Sequence, residues 1–290
     1  MSVHDTDVII LGGGAAGLMC ALTAGQRGLR VVVLEGANKI GKKILMSGGG
    51  RCNFTNLHCS AEHFLSANPH FCKSALSQYT QWDFIALVEQ HGIAYHEKTL
   101  GQLFCDVSSK DIVAMLKREC DTAGVDIRLN SDVRSVDAND GFVVDCAHGQ
   151  WHSGKLVIAT GGLSIPKMGA SDFGYRLARQ FGMDVLPTRA ALVPLTFSGA
   201  LHQWLAALAG CSGEVTVNAG DTRFHESMLF THRGLSGPSV LQISSYWQPG
   251  QTITVDLLPG NDIGAALLQA KQHRPRQKLR TLLQTPLPKA

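Results

Sequence analysis

The sequence predicts an α/β fold, with a dinucleotide-binding strand–helix–strand unit at the front of the chain and a β-rich domain behind it. Three observations carry this prediction. A glycine turn with the spacing G-x-G-x-x-G, at Gly12, Gly14 and Gly17, stands between an apolar run at residues 8–11 and an Ala/Leu-rich stretch reaching Gln26. A second apolar run, residues 31–34, ends on an acid, Glu35. Beyond Pro187 the alternation of helices and strands gives way to strands without long helices between them.

Each residue of the first unit has a physical reason. Gly12 lets the chain turn sharply off its strand, Gly14 lets a pyrophosphate approach the backbone, and Gly17 lets the helix pack close to the strands. The free N–H groups and dipole of the helix N-terminus attract phosphate. Glu35 can accept hydrogen bonds from ribose hydroxyls, and its charge opposes a 2′-phosphate, which argues against NADP at this site.

The loop at 36–56 follows, with Lys42, Lys43 and Arg51 around the glycines Gly48, Gly49 and Gly50. Three successive glycines are costly to order and imply a need for backbone space. Cations beside bare backbone suit a phosphate or an electron-rich ring; a flexible basic loop is the alternative. Residues 69–79 and 81–91 show helical spacing, and Trp82, Phe84 and Leu87 are expected in the core. A hairpin is expected at 95–105, turning at Leu100-Gly101. Ser108-Ser109 then caps a helix that Gly124 closes. Short strands at 127–130, 133–136 and 142–146 surround the hairpin signal Asn139-Asp140-Gly141. Residues 156–159 read as a buried strand ending in Thr160-Gly161-Gly162, its carboxyl end turned to a ligand. A helix at 174–181 stops at Gly182.

In the β-rich part, strands are expected at 192–197, 214–217, 223–230 and 252–257, forming a small barrel-like domain. Asn218-Ala219-Gly220-Asp221 is a hairpin loop, and Pro238 stands at the favoured first position of a helix. Helices are expected at 262–271 and 277–283, and the Lys/Arg residues at 271–280 read as a solvated helix face. The domains are thus 1–190, dinucleotide-binding; 191–260, β-rich; and 261–290, the start of a helical segment.

A chain of 290 residues with 44% hydrophobic and 17% charged residues has the composition of a globular protein. A net charge of +3 gives no electrostatic case for a nucleic-acid or membrane partner, so neither is expected, and a small-molecule substrate is. No apolar run approaches the ~20 residues of a membrane span, and residues 1–7 do not read as a signal peptide. The eight cysteines form no C-x-x-C pair and read as reduced thiols of a cytoplasmic protein.

Four stretches together carry a family resemblance: GGGAAG at 12–17, KKILMSGGGRCNFTN at 42–56, ATGGLS at 159–164 and THRGLSGP at 231–238. The chain resembles the BaiN/YhiN-like family of bacterial NAD(P)/FAD-dependent oxidoreductases. The resemblance implies a Rossmann-like FAD-binding domain into which a β-barrel and a helical segment are inserted. By motif match, Gly12, Gly14, Ala15, Ala16 and Gly17 would hold the pyrophosphate, and Glu35 the ribose. Lys43, Ser47, Gly48, Gly49, Gly50, Arg51, Cys52 and Asn53 would line the flavin side. Val133 would meet the adenine through its backbone, and Thr160 and Gly161 would form the second flavin-contacting motif. Family members return to the FAD domain through a C-terminal segment with no counterpart here, so the resemblance implies a shortened chain.

Flavin would carry the redox chemistry, leaving the protein to bind and orient it. No second G-x-G-x-x-G is present, so either NAD(P)H docks transiently as electron donor or an organic substrate gives hydride. Cys52 has no resolving cysteine at a known spacing to make it a redox thiol. His232 and Arg233 are candidates to bind or protonate substrate, with a structural role at a strand end as the alternative. An oligomeric state is not legible. Two classes follow: an FAD-dependent oxidoreductase, or a nucleotide-binding remnant without turnover.

Overall fold

The computed structural model describes residues 3–165 and 168–283. The chain divides into two compact units, Met1–Leu186 and Pro187–Ala290.

In the first unit β1 (Val3–Leu11), α1 (Ala15–Gln26) and β2 (Val31–Leu34) follow one another as the glycine spacing requires. The segment read as one long loop contains more structure: α2 (Lys42–Met46), the glycine turn Ser47–Gly50, and β3 (Asn53–Asn56). Then come α3 (Lys73–Gln78), α4 (Gln81–Gln90), the hairpin β4 (Tyr95–Glu97) and β5 (Gln102–Cys105), and α5 (Ser109–Thr122). β6 (Asp126–Arg128), β7 (Val133–Ala138), β8 (Phe142–Cys146), β9 (Gly149–Ile158) and α6 (Phe173–Gln180) complete the unit.

The main sheet runs β6-β2-β1-β9-β8-β7. β6, β2, β1 and β9 are parallel, and β8 and β7 continue as antiparallel neighbours. β1 and β2 are apolar at successive positions because both faces of the sheet are covered. Val8, Ile10, Val31 and Val33 face a core with Leu18 of α1 and Ile112 and Leu116 of α5. Ile9, Leu11, Val32 and Leu34 face the other side, with Val136, Val144 and Leu177. A separate three-stranded sheet, β3-β5-β4, carries the end of the glycine turn.

Trp82 departs from the expected core: it is 57% exposed, while Ile85 and Val88 of the same helix are buried. One face of α4 packs inward, and Trp82 lies off that face, with Asp83, Ala86 and Glu89 also exposed.

The second unit contains β10 (Leu195–Thr196), α7 (Gly199–Ala206), β11 (Ser212–Ala219), β12 (Thr222–Thr231), β13 (Gly234–Ser236), α8 (Pro238–Ser244), β14 (Thr254–Asp256), α9 (Ile263–His273) and α10 (Leu279–Leu283). Its sheet runs β10-β13-β12-β11-β14. Where the sequence suggested a barrel, the pairing among the described residues is that of an open sheet with β10 and β14 at its edges. Val215, Val217, Met228, Val240 and Ile243 form its core. The last residues of the expected helical segment, 284–290, lie outside the described residues.

Candidate dinucleotide site

The site lies where the order of the parallel strands reverses, beyond the carboxyl ends of β1 and β9. Open α/β sheets bind ligands at such a point because the loops on either side leave in opposite directions. The two strand ends touch: Ala159 N–H donates to the Leu11 carbonyl at 2.8 Å.

Gly12 has φ 106°, and a Cβ there would stand 2.5 Å from the Ala159 carbonyl oxygen. Gly17 is tighter, since its Cβ would come within 1.9 Å of the Gly12 oxygen. Only glycine permits the turn and helix to approach this closely. Gly14 differs: a Cβ there would meet nothing within 4 Å. It begins α1 without a side-chain cap, no acid lies in the first turn, and Ala15 and Ala16 are exposed. Such a helix end presents N–H groups to an anion.

Glu35 is tied to that turn. Its Oε2 accepts the Gly13 N–H at 2.6 Å and its Oε1 accepts the Ala37 N–H at 2.7 Å. Carboxylate oxygens have lone pairs left for ribose hydroxyls. The Glu35 backbone is held as well, its N–H donating to Arg128 O at 2.8 Å and its carbonyl accepting from Ser131 N at 2.9 Å. Val133, two residues beyond Ser131, thereby stands at the same end of the sheet.

The glycine turn uses left-handed backbone at Gly48, Gly49 and Gly50, with φ 58°, 65° and 91°. A side chain at Gly48 would strike the Phe104 ring and the Asn53 nitrogen at 2.7 Å; Gly49 and Gly50 face open space. Cys52 N–H donates to Ser47 O at 2.9 Å, and Arg51 O accepts from Cys105 N at 2.9 Å, which closes the loop onto β5. Arg51 and Asn53 are exposed. Burial pushes the Cys52 thiol up, so it is held as a thiol rather than a reactive thiolate.

Lys43 closes the arrangement. Its Nζ donates to Ser164 Oγ at 2.8 Å, and a Cβ on Gly161, at φ 75°, would stand 3.3 Å from that nitrogen. The loop after β2 is thus joined to the loop after β9. Thr160 Oγ1 is buried without a hydrogen-bond partner. Ser131, Arg128, Ala37 and Ser164 were not singled out from the sequence. Ser164 belongs to the 159–164 motif, but its partner Lys43 is 121 residues away and leaves no local signal.

These features fit a dinucleotide: open backbone at Gly14, Gly49 and Gly50, an uncapped helix start, a carboxylate at the second strand end and an orphaned hydroxyl at Thr160. His232 and Arg233 belong to the second unit. They form the exposed two-residue turn between β12 and β13. His202 Nε2 donates to the His232 carbonyl at 2.9 Å, and Phe197 N donates to Arg233 O at 3.0 Å.

A family model described as the HI0933-like protein Rossmann domain matches residues 6–253. A protein of Escherichia coli K12 named "Ribosomal RNA dihydrouridine synthase" is 55% identical over 98% of this chain and 71% of its own length. A protein of Haemophilus influenzae with the same name is 52% identical over 100% of this chain and 73% of its own. More distant is the "3-dehydro-bile acid delta(4,6)-reductase" of Clostridium scindens, 29% identical over 86% of this chain and 64% of its own length.

The expectation that nucleic acid is not a partner is overturned by the two relatives named for ribosomal RNA. That expectation rested on a net charge of +3, which sums over the whole chain. Single-stranded RNA is recognised by local cations, stacking rings and hydrogen bonds, which a whole-chain sum does not report.

Proposed function

The chain belongs to the HI0933-like Rossmann-domain family, and from that premise we propose that it is an FAD-dependent oxidoreductase that reduces uridine in ribosomal RNA to dihydrouridine. The observation that carries the substrate is the 55% identity, over 98% of the chain, to a relative with that name. The geometry at the strand ends supports FAD as the cofactor. Gly12, Gly14, Ala15, Ala16 and Gly17 would hold the pyrophosphate, Glu35 the ribose, and Val133 the adenine. Lys43, the 47–53 turn, Thr160 and Gly161 would line the isoalloxazine. Bound FAD would supply two-electron chemistry. The proposed reaction adds two hydrogens across the C5–C6 double bond of the base, NAD(P)H being oxidised and one proton taken from solvent. His232 and Arg233 remain substrate candidates, as exposed side chains on one turn. The compartment in keeping with eight free cysteines is the reducing cytoplasm. Among the described residues, no helix is long and apolar enough to cross a membrane.

Three measurements test this. Purified protein should bind FAD, its absorbance should bleach with NADH or NADPH, and ribosomal RNA should gain the mass of two hydrogens at a uridine. Glu35→Ala should weaken FAD binding by about 1–3 kcal/mol, the range for a charge-assisted hydrogen bond. An unchanged FAD dissociation constant would remove Glu35 from the site. FAD binding without bleaching by any nicotinamide donor would leave a nucleotide-binding protein without turnover.

A further inference from the structure

Exposed aromatic rings are concentrated in one part of the first unit. Among the described residues, Phe64 is 46% exposed, Phe71 80%, Tyr79 42% and Trp82 57%; outside this stretch, Trp204, in the second unit, is 70% exposed. All four fall within an excursion that leaves β3 at Leu57 and returns at the start of α4. The excursion is closed at its base, where Gln81 Nε2 donates to Leu57 O at 3.0 Å. Inside it, Phe64, Leu65 and Lys73 line one depression of about 250 Å³. The stretch 57–82 carries Lys73 as its formal cation and Glu62 as its acid, with His58, His63 and His70 among them.

We propose that this excursion is the platform on which single-stranded RNA stacks while the target uridine is at the dinucleotide site. The proposal rests on the RNA reading above and adds the surface that reading lacks. An enzyme that acts on a base meets it in a single strand or takes it out of its stack, and either way neighbouring bases are exposed. Aromatic side chains compensate by stacking on those bases, and cations between them meet the backbone. The pattern here is of separated rings among polar residues, with Lys73 as the formal cation. Leu65, at 51%, is the exposed large aliphatic side chain among them, so this is not the continuous apolar centre of a protein interface. The position also fits: the excursion begins one strand after the glycine turn. β3 has 4 residues, a span of about 13 Å at ~3.3 Å per residue.

The test is binding of the full chain, loaded with FAD, to a uridine-containing single-stranded oligoribonucleotide and to a duplex of the same sequence. The single strand should bind more tightly. Phe71→Ala and Trp82→Ala should each weaken that binding about thirtyfold, the middle of the range for removal of a stacking ring. FAD affinity should not move, and Phe71→Trp should retain binding. Wild-type affinity for the single strand in the Phe71→Ala/Trp82→Ala double variant overturns the platform while leaving the RNA reading intact. So does a Phe71→Trp variant no better than Phe71→Ala. If the double variant alters self-association in sedimentation with RNA affinity untouched, the face belongs between copies of the chain and the proposal fails. Absence of any RNA binding by the wild type removes the RNA reading itself.

Discussion

Two glycines of one motif illustrate how the same residue type serves two ends. Gly17 is glycine because its own protein leaves no room, with the Gly12 oxygen 1.9 Å from where a Cβ would stand. Gly14 has room, and a backbone that any residue adopts, at φ −84° and ψ −172°. Gly17→Ala should therefore destabilise the ligand-free protein by about 1–3 kcal/mol, the usual cost of overpacking. Gly14→Val should melt like the parent without ligand but lose FAD, because its branched carbons would occupy the proposed approach of the pyrophosphate. Urea denaturation and FAD titration of both variants check this, and a Gly14→Val protein that retains FAD would move the pyrophosphate elsewhere. The buried thiols give a second prediction. Burial, with a smaller contribution from Cys52, pushes the Cys105 thiol from 9.0 up to about 11, and burial with Asp121 nearby does the same for Cys120. The folded state then holds these protons more tightly than the unfolded chain. Their contribution is fully present below pH 9 and is lost as pH rises from about 9 through about 11. Unfolding free energy measured across that window should fall, and Cys120→Ala should flatten the slope.

At the scale of elements, what was legible in the sequence was what local chemistry decides. The β1–α1–β2 unit follows from glycine spacing, and α5 from Ser108, whose Oγ accepts the Lys110 N–H at 3.2 Å. The β7–β8 hairpin follows from Asp140 and Gly141, both at positive φ. What was not legible depends on distant partners. β9 extends back to Gly149 through polar residues because β1 pairs with it from Val3↔Gln150 to Leu11↔Ile158. β13 is a strand because β10 and β12 flank it. The same division runs through the site. Gly12 to Gly17 and Glu35 could be read from spacing, whereas Lys43 meets Ser164 across a separation of 121 residues. That contact joins the loop after β2 to the loop after β9, so it should help hold the flavin side of the site. Ser164→Ala should weaken FAD binding by about 0.5–1.5 kcal/mol, the net worth of one hydrogen bond. Flavin fluorescence quenching measures it, and an unchanged affinity would make the contact incidental.

At the scale of the molecule, each unit has a core of its own. The proposed cofactor residues, from Gly12 to Gly161, all lie in Met1–Leu186. The second unit is organised around Val215, Val217 and Ile243, with His232 and Arg233 on an exposed turn. A ligand that binds only the native state stabilises by RT ln(1 + [L]/Kd), about 2.7 kcal/mol at a hundredfold excess over Kd. That stabilisation appears first where the ligand suppresses local opening. Hydrogen exchange with and without FAD should therefore slow at residues 12–17, 35–37, 47–53 and 160–164, including the Gly13 and Ala37 amides that donate to Glu35. β11, β12 and β14 should exchange as before, because no cofactor residue is drawn from them. NADP should give no such pattern, since a Glu35 carboxylate that holds the ribose, as proposed, would meet a 2′-phosphate as like charge. Protection that reached His232 and Arg233 on adding FAD would place the second unit's turn against the cofactor and turn both residues from substrate candidates into cofactor ligands. Protection absent at 12–17 would displace the dinucleotide from the strand ends altogether.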